Sequence, residues 1–190
     1  MKIYKGLLTQ VMIWPIVVVA ATLFLTSCRQ QRAKDLTLFD FESQEELDQL
    51  NWRCHIIYEL SDQYVSHGQK SLKLEMYPPS RYPGMSTSSF EHDWRGYKKL
   101  CFDIFNPKKE GVSISFRLDD KKDHPSYADR INKSIKLKSG WNAICFELDS
   151  LRTSGTKRHL NLTNVTRLYM FTLNPERPLT LFLDNIRLTQ

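Results

Sequence analysis

The sequence predicts an all-β protein, an antiparallel β-sandwich of about ten strands with one short helix. Three observations favour this fold class. Short apolar runs recur along the chain, and most of them place an apolar side chain at every second position. Pairs of glycine, proline, serine and asparagine residues separate the runs as turns. Many short strands at regular spacing are typical of a sandwich.

The first predicted strand is LTLFDF at residues 36–41, and SQEELDQLN follows it. In that second segment Ser43 and Glu46 have the spacing of a capping box, which indicates one short helix. Each later apolar run is a predicted strand. In chain order these runs are WRCHIIYEL, KSLKLEMY, GMSTSSFE, KKLCFDIFN, VSISFRLDD, KSIKLK, WNAICFELD, VTRLYMFTL and LTLFLDNIRL.

Two of these strands show which face we expect to be buried. One face of each is entirely apolar, with Leu100, Phe102 and Ile104 on the first and Ile114, Phe116 and Leu118 on the second. A sandwich buries one face of each sheet, so the opposite face is left to water or to a ligand. Trp141, in SGWN, is expected to lie in the core.

The first 27 residues are predicted to be a lipoprotein signal peptide. A long apolar run follows Lys2 and Lys5 and ends in Leu25-Thr26-Ser27-Cys28. This ending resembles the bacterial lipobox, whose cysteine becomes lipid-modified after cleavage. Cys28 is then the membrane anchor, residues 28–35 are a polar tether, and residues 36–190 form one folded domain. An uncleaved transmembrane helix is the alternative, since about 20 apolar residues span a bilayer.

This leader places the domain in the bacterial cell envelope, facing the periplasm or the cell surface. Arg29 follows the lipidated cysteine where enteric lipoproteins of the inner membrane carry aspartate, which favours the outer membrane. The formal net charge is +6, but basic residues alternate with acidic ones and form no long run. Nucleic acid is therefore not expected as a partner, whereas a mild affinity for acidic glycans or anionic lipid headgroups stays open.

Beyond Cys28 the sequence contains Cys54, Cys101 and Cys145. None of them forms a C-x-x-C pair, and no histidine lies at zinc-finger spacing, so a zinc site is not expected. Cys101 and Cys145 each lie in the middle of an apolar strand. The favoured interpretation is that both are buried free thiols. A disulfide between them, in an oxidising compartment, is the alternative.

The segment LDDKKDHPSYADRIN, residues 118–132, concentrates charge between two predicted strands. A metal site is disfavoured because Lys121 and Lys122 would compete with the cation. A catalytic pair of Asp119 and Asp129 is disfavoured because nothing in the sequence would bury either carboxyl and raise its pKa. A ligand-binding rim is the favoured interpretation, with a solvated connection as the alternative.

A series of segments links this loop to a known family. They are FDFES, YVSHGQKSLKLE, DWRGYKKLCFDIFNP, ISFRLDD, YADRIN, SGWNAICFEL and LFLDNIRL. Their order resembles that of the galactose-binding-like jelly rolls, which include many carbohydrate-binding modules, and it covers nearly all of residues 36–190. The resemblance implies a jelly-roll sandwich, and by analogy a domain that binds carbohydrate.

The family-like segment His124-x-x-Tyr127-x-Asp129-Arg130 offers the groups that a sugar needs. Charged side chains form paired hydrogen bonds with sugar hydroxyls, and aromatic rings stack on the C–H faces of the sugar. The predicted ligand-binding residues are Asp119, His124, Tyr127, Asp129, Arg130, Tyr82 and Trp94. Among the aromatic candidates, Tyr82, in a proline-rich loop, is the one most expected to be exposed. The alternatives are a structural ion pair between Asp129 and Arg130 and a place in the core for Trp94.

The resemblance also implies a possible structural calcium ion. In the family, such an ion often joins the first strand, the HG turn and the last strand. The matching side chains are Asp40, Glu42 and Asp184, with carbonyl groups of residues 67–70, and calcium prefers such oxygen ligands. The alternative is that these carboxylates cap strand ends and bind no ion.

The sequence therefore predicts a non-catalytic domain of a lipid-anchored envelope protein that binds carbohydrate or another glycan. The alternative is a structural or assembly subunit that binds another envelope protein through a sandwich face. A contiguous apolar patch would favour the alternative, and aromatic rings surrounded by polar groups would favour a sugar.

Overall fold

The computed structural model describes residues 35–51, 55–123 and 125–190. Its ten strands are β1 Leu36–Phe39, β2 Ile56–Ser61, β3 Ser71–Met76, β4 Gly84–Thr87, β5 Lys99–Asn106, β6 Val112–Asp119, β7 Ile131–Leu137, β8 Gly140–Glu147, β9 Arg167–Phe171 and β10 Leu179–Thr189. One α-helix, α1, spans Gln44–Asp48, and short 3₁₀ turns span Tyr127–Asp129 and Leu148–Ser150. The predicted all-β class is confirmed, with a strand at each of the ten predicted runs.

The strands form two antiparallel sheets. The six-stranded sheet has the order β2-β3-β10-β5-β8, and β1 pairs with the end of β10. The four-stranded sheet has the order β4-β9-β6-β7. β10 is the longest strand and pairs with β1, β3 and β5, so the last strand in the sequence joins elements from the first half of the chain.

Alternation along the strands builds the core between the two sheets. Leu100, Phe102 and Ile104 of β5 face inward, and Phe102 stacks on Phe116 of β6 with ring centroids 5.4 Å apart. Ile114 and Leu118 of β6 are buried on the same side, as the sequence predicts. Burial of apolar surface on this scale is the main term that stabilises a domain of this size.

The predicted short helix is present, but its capping differs from the prediction. The Ser43 side chain caps no backbone group. Instead, the Glu46 carboxylate accepts hydrogen bonds from the backbone N–H groups of Asp40 and Glu42, each 3.0 Å long. Glu46 therefore ties the start of the helix back to the end of β1.

Two predictions about the six-stranded sheet are wrong. Cys101 and Cys145 form a disulfide, because β5 and β8 place them directly opposite each other with their Cα atoms 4.2 Å apart. This separation is that of a non-hydrogen-bonded antiparallel pair. Trp141 is 40% exposed rather than in the core, since Asn142 of β8 points inward and Trp141 therefore points outward. Its ring packs edge-on against Phe105, with ring centroids 5.3 Å apart.

Several predictions fall on residues outside the described ranges. The signal peptide, the lipidated Cys28 and most of the tether belong to this group, as do Cys54 and His124. Among the residues that the structure does describe, none lies in a helix long and apolar enough to cross a membrane.

Candidate functional site

The outer face of the four-stranded sheet carries a row of large side chains. Tyr169 and Phe171 of β9 point outward, because Leu168 and Met170 point into the core. In the pairing register, Arg117 of β6 lies beside Tyr169, so an arginine and a tyrosine are neighbours across the strands. Asn132 of β7 lies on the other side of Arg117 and extends the row to the edge of the sheet.

The aromatic rings on this face are in contact with one another. Tyr169 and Phe171 are stacked, with ring centroids 4.6 Å apart. Tyr82, in the loop before β4, meets Phe171 edge-on at 5.7 Å. The Tyr169 hydroxyl donates a hydrogen bond of 2.5 Å to the Tyr82 carbonyl oxygen, which fixes the loop to the sheet. The result is a rigid aromatic surface with few freely rotating side chains.

Gly84 keeps this surface open beside Phe171. The two residues pair across β4 and β9, and a Cβ atom on Gly84 would lie 2.0 Å from the Met170 carbonyl oxygen and 2.6 Å from the Phe171 Cβ. No side chain fits at those distances, so residue 84 must be glycine for β4 to pair closely with β9.

These residues line a hollow of about 290 Å³, near the lower end of the range for ligand pockets. Tyr82 is 41% exposed and Tyr127 is 69% exposed, so both present ring surface to solvent. We call this hollow the aromatic groove. Its lining consists of Tyr82, Arg117, Tyr127, Arg130, Asn132, Tyr169 and Phe171.

A larger hollow, of about 490 Å³, lies over β2 and β3. Its lining is polar and includes Glu59, Asp62, Lys70 and Lys73, without an aromatic ring. Saccharide recognition uses ring stacking together with hydrogen bonds, so the aromatic groove is the better candidate site although it is smaller.

Asp119 does not line the groove, contrary to prediction. It is 1% exposed, and its carboxylate accepts paired hydrogen bonds from the Arg117 guanidinium. Arg167 approaches the same carboxylate at 3.5 Å. Asp119 therefore positions Arg117 on the floor of the groove instead of touching a ligand.

Arg130 does line the groove, and it is half-buried. Its Nε donates a hydrogen bond of 2.6 Å to the Pro125 carbonyl oxygen. Burial lowers the pKa of the Arg130 guanidinium, and the nearby positive charge of Arg117 lowers that pKa further. Among the described residues, no carboxylate forms an ion pair with Arg130, so the suggested ion pair with Asp129 is absent there.

Asp129 instead holds the loop that carries Tyr127 and Arg130. Its carboxylate pairs with Lys121 and with Arg158, and these hydrogen bonds hold the pKa of Asp129 at about 2. Asp120 is buried and accepts two hydrogen bonds from Arg158 and one from the Asn161 backbone N–H. Asp129 is thus a structural residue beside the groove rather than part of its lining, and its predicted contact with a ligand stays a prediction.

Backbone hydrogen bonds complete this attachment. The N–H groups of Gly155 and Thr156 both donate to the Ala128 carbonyl oxygen, at 2.8 and 3.0 Å, and the Ser154 N–H donates to the Arg130 carbonyl oxygen at 2.8 Å. We call residues 120–123 and 125–130 with residues 153–161 the rim clamp. It fixes the backbone that carries Tyr127 and Arg130 before any ligand arrives.

Trp94 is part of the core, and its predicted place in the binding site is wrong. The side chain is 0% exposed, and its indole Nε1 donates a hydrogen bond of 2.6 Å to the Glu91 carbonyl oxygen. The ring packs near Phe90, with centroids 5.8 Å apart. A ligand cannot reach it.

The structure thus brings together Tyr82, Tyr127 and Arg130 from the predicted set. It adds four residues that the sequence reasoning missed: Arg117, Asn132, Tyr169 and Phe171. The signal for them was present, because each lies on the polar or mixed face of a strand whose alternate residues are apolar. What the sequence did not show was which strands would be neighbours.

The three carboxylates predicted to bind calcium do not fit that ion. Among the described residues, no group of three or more acidic, histidine or cysteine side chains is arranged to hold a metal. Glu42 accepts hydrogen bonds from the N–H groups of Gln69 and Lys70, and Asp184 accepts bonds from the N–H groups of Ser66 and His67. Both carboxylates hold the HG turn through its amides rather than through an ion and its carbonyl groups.

One atom in this region has no partner. Oδ1 of Asp184 is buried and makes no hydrogen bond, while Oδ2 of the same carboxyl accepts three. Burial raises the pKa of Asp184 despite these hydrogen bonds. Glu42 lies directly against Gly68, where a Cβ atom would be 2.2 Å from Glu42 Oε1.

No protein-family model matches the sequence, and no curated protein matches it. Solved structures do match the fold. A family 11 carbohydrate-binding module from Clostridium thermocellum, in complex with a β-1,3-1,4-mixed-linked tetrasaccharide, matches with a TM-score of 0.63 at 21% identity. The match covers 83% of this chain and 96% of that one.

Two agarases also match. An exo-β-agarase has a TM-score of 0.63 at 18% identity over 80% of this chain, and a second agarase has 0.62 at 13% over 82%. The matched part is only 25% and 26% of those two chains. At such identities the likeness shows the fold alone, which is the two-sheet antiparallel β-sandwich that the sequence predicts.

Proposed function

We propose that this protein binds a saccharide in the aromatic groove without chemically altering it. The observation that carries the proposal is the combination of exposed tyrosine rings at Tyr82 and Tyr127 with fixed hydrogen-bonding groups at Arg117 and Asn132. Sugar rings offer C–H faces to the aromatic rings and paired hydroxyls to the polar groups. Isolated aromatic rings surrounded by polar groups favour a saccharide ligand over a protein partner, which would require a contiguous apolar patch.

Two further points support binding without turnover. Glycoside hydrolysis requires two carboxylates on opposite sides of the scissile bond. The part of the groove lining that the structure describes contains no carboxylate. The matching carbohydrate-binding module, in complex with a tetrasaccharide, supports the same function by analogy of fold.

We also propose that Cys28 is lipidated and anchors the domain to the bacterial envelope, at the outer membrane. The support is the sequence Leu25-Thr26-Ser27-Cys28 after a long apolar run, followed by Arg29. Labelling of expressing cells with radioactive palmitate should mark the protein, and Cys28→Ala should remove the label. Label that persists in the variant would contradict the proposal.

Affinity electrophoresis tests the saccharide proposal. The protein is run through native gels that contain neutral polysaccharides, such as mixed-linked β-glucan and agarose, or acidic ones. We expect at least one polysaccharide to retard it, and we expect Tyr127→Ala and Tyr82→Ala to reduce that retardation about tenfold, because each removes a stacking ring. Both side chains are exposed, so the melting temperature should change little.

Trp141→Ala is the matched control. Trp141 is as exposed as Tyr82 but lies on the outer face of the six-stranded sheet, so its loss should leave retardation unchanged. If no polysaccharide retards the protein, or if Trp141→Ala abolishes retardation while the two tyrosine variants retain it, the aromatic groove is not the saccharide site.

The second candidate function is docking of another envelope protein. One observation favours it, a small aromatic patch on the outer face of the six-stranded sheet. In this patch Phe105 stacks on Tyr64, with ring centroids 3.7 Å apart, and meets Trp141 edge-on. An ion pair between Asp103 and Arg187 lies on the same face. Co-purification of a partner that Trp141→Ala removes and Tyr127→Ala retains would support docking in place of saccharide binding.

A further inference from the structure

The charges around the aromatic groove are unbalanced. Three arginines lie at or just below the floor, Arg117, Arg130 and Arg167, and Asp119 is the one carboxylate that faces them among the described residues. The other nearby acids, Asp120 and Asp129, are already paired with Arg158 and Lys121 in the rim clamp. They therefore do not offset the excess positive charge in the groove.

The single carboxylate is directed at the other two arginines. Asp119 accepts hydrogen bonds on both oxygens from Arg117 and has Arg167 at 3.5 Å, and it forms no hydrogen bond or ion pair with Arg130, so its charge balances Arg130 only in part. Arg130 uses its Nε on the Pro125 carbonyl oxygen. Its two terminal nitrogens are the part of the guanidinium that can meet a ligand in the groove.

A half-buried guanidinium without a carboxylate partner is unfavourable in the free protein. Burial removes part of its hydration, and the positive charge of Arg117 repels it. An anionic group on a ligand would relieve both effects, because a carboxylate or a sulfate can accept two parallel hydrogen bonds from one guanidinium. A neutral hydroxyl accepts fewer hydrogen bonds and brings no charge.

We propose that the saccharide bound in the aromatic groove is acidic, and that Arg130 binds its carboxylate or sulfate group while Tyr82 and Tyr127 stack on its rings. This inference rests on the proposed function and narrows it to a class of ligand. The formal net charge of +6 for the whole chain is in the same direction and favours association with a polyanion.

Matched ligands test the inference without changing the protein. Binding of the full chain, purified in detergent, is measured by calorimetry with oligogalacturonate and with its methyl ester, which keeps the same sugar rings and removes the charge. A sulfated galactan oligosaccharide and its desulfated form make the second pair. We expect the charged member of at least one pair to bind about tenfold tighter or more. The pair that shows the difference identifies the anion as carboxylate or sulfate.

Protein variants test whether Arg130 causes the preference for charged ligands. Arg130→Gln should reduce binding of the acidic ligand to the level of its neutral counterpart and leave the neutral ligand nearly unchanged. Arg130→Lys should restore part of the difference, since it keeps the charge but loses the paired geometry. Arg95→Gln is the control, because Arg95 is an exposed arginine paired with Asp93 outside the groove.

The outcomes separate the two proposals. If charged and neutral ligands bind equally and Tyr127→Ala weakens both, the protein binds saccharides in the groove but the acidic class is wrong. If acidic ligands bind tighter but Arg95→Gln removes the preference as strongly as Arg130→Gln, the preference comes from overall charge and the role of Arg130 is wrong. If none of the saccharides binds, both proposals fail.

Discussion

At the residue scale, two arginines on the same face have different functions because their partners differ. Arg117 is held by a buried carboxylate, so its charge is balanced and its orientation is fixed. Arg130 has only a carbonyl oxygen from the described part of the chain, so its charge is available to a ligand. The sequence identified Arg130 and Asp119 but not this difference, because it depends on which side chains meet after folding.

At the same scale, the environment of Asp184 predicts how the stability of the fold depends on pH. Its Oδ2 accepts three hydrogen bonds from the HG turn, whereas its buried Oδ1 has no partner. Burial raises the pKa of Asp184 in the folded protein above its value in the unfolded chain. The free energy of unfolding therefore falls as the pH rises from the unfolded pKa through the folded pKa, because the folded protein resists ionisation of this carboxyl. Asp184→Asn keeps one accepting oxygen and removes the charge.

We therefore expect Asp184→Asn to keep the free energy of unfolding at pH 7 within roughly 1 kcal/mol of the parent value, and to flatten its dependence on pH above pH 4. Asp184→Ala should lose about 1–3 kcal/mol, because the turn loses its acceptor. Thermal melts at several pH values measure both. A chelator should leave the parent melt unchanged, and a large drop with the chelator or with Asp184→Asn would instead indicate a bound ion.

At the element scale, the rim clamp determines whether the binding loop has a fixed shape. Arg158 links the carboxylates of Asp120 and Asp129, and backbone hydrogen bonds join residues 154–156 to residues 128–130. The loop that carries Tyr127 is thus ordered before binding, which lowers the entropy lost when a ligand binds. Among the described residues of this segment, Asp119, Asp120 and Asp129 form structural ion pairs. Tyr127 and Arg130 line the groove.

Arg158→Met tests the clamp. It leaves Asp120, a buried carboxylate, without its charged partner, and loss of one member of such a pair is strongly destabilising. We expect a loss of about 2–3 kcal/mol, smaller than for a fully buried pair because Arg158 is partly exposed, and therefore a fall in melting temperature of about 5–10 °C. Saccharide binding should weaken as well, because the rim loses its fixed position.

Lys121→Met is the control for this experiment. The Lys121 side chain is exposed and forms an ion pair with Asp129, which keeps Arg158 as a partner, so we expect its loss to change the melt little. Equal melts for the two variants would show that the buried Asp120–Arg158 pair does not stabilise the loop.

The same scale shows where sequence reasoning succeeds and fails. Alternation of apolar residues located all ten strands and the buried face of β6, because that pattern is local. Trp141 was wrongly predicted to lie in the core. Asn142, Ile144 and Phe146 define the inward face of β8, so alternation along this strand indicates that Trp141 points outward. The Cys101–Cys145 disulfide could not be predicted in this way, because it depends on how β5 pairs with β8. The residues of one strand do not determine its register with a strand that is distant in the sequence.

At the scale of the whole molecule, the two sheets have separate tasks. The six-stranded sheet closes the fold, because the last strand, β10, pairs with the first strand, β1, and with β3 and β5, and because the disulfide joins two of its strands. The four-stranded sheet presents the groove on its outer face. The fold class was predictable from composition and periodicity, whereas the floor of the site required the strand order β4-β9-β6-β7, which brings Tyr169, Arg117 and Asn132 into one row.

The most direct test of the central claim is a map of ligand-induced changes in backbone amide chemical shifts across the full chain in detergent. Addition of the best-binding oligosaccharide should shift the amides around Tyr82, Arg117, Tyr127 and Tyr169, and leave β2, β3 and Trp141 unaffected. Shifts confined to the polar hollow over β2 and β3, or to the aromatic patch around Trp141, would contradict the account.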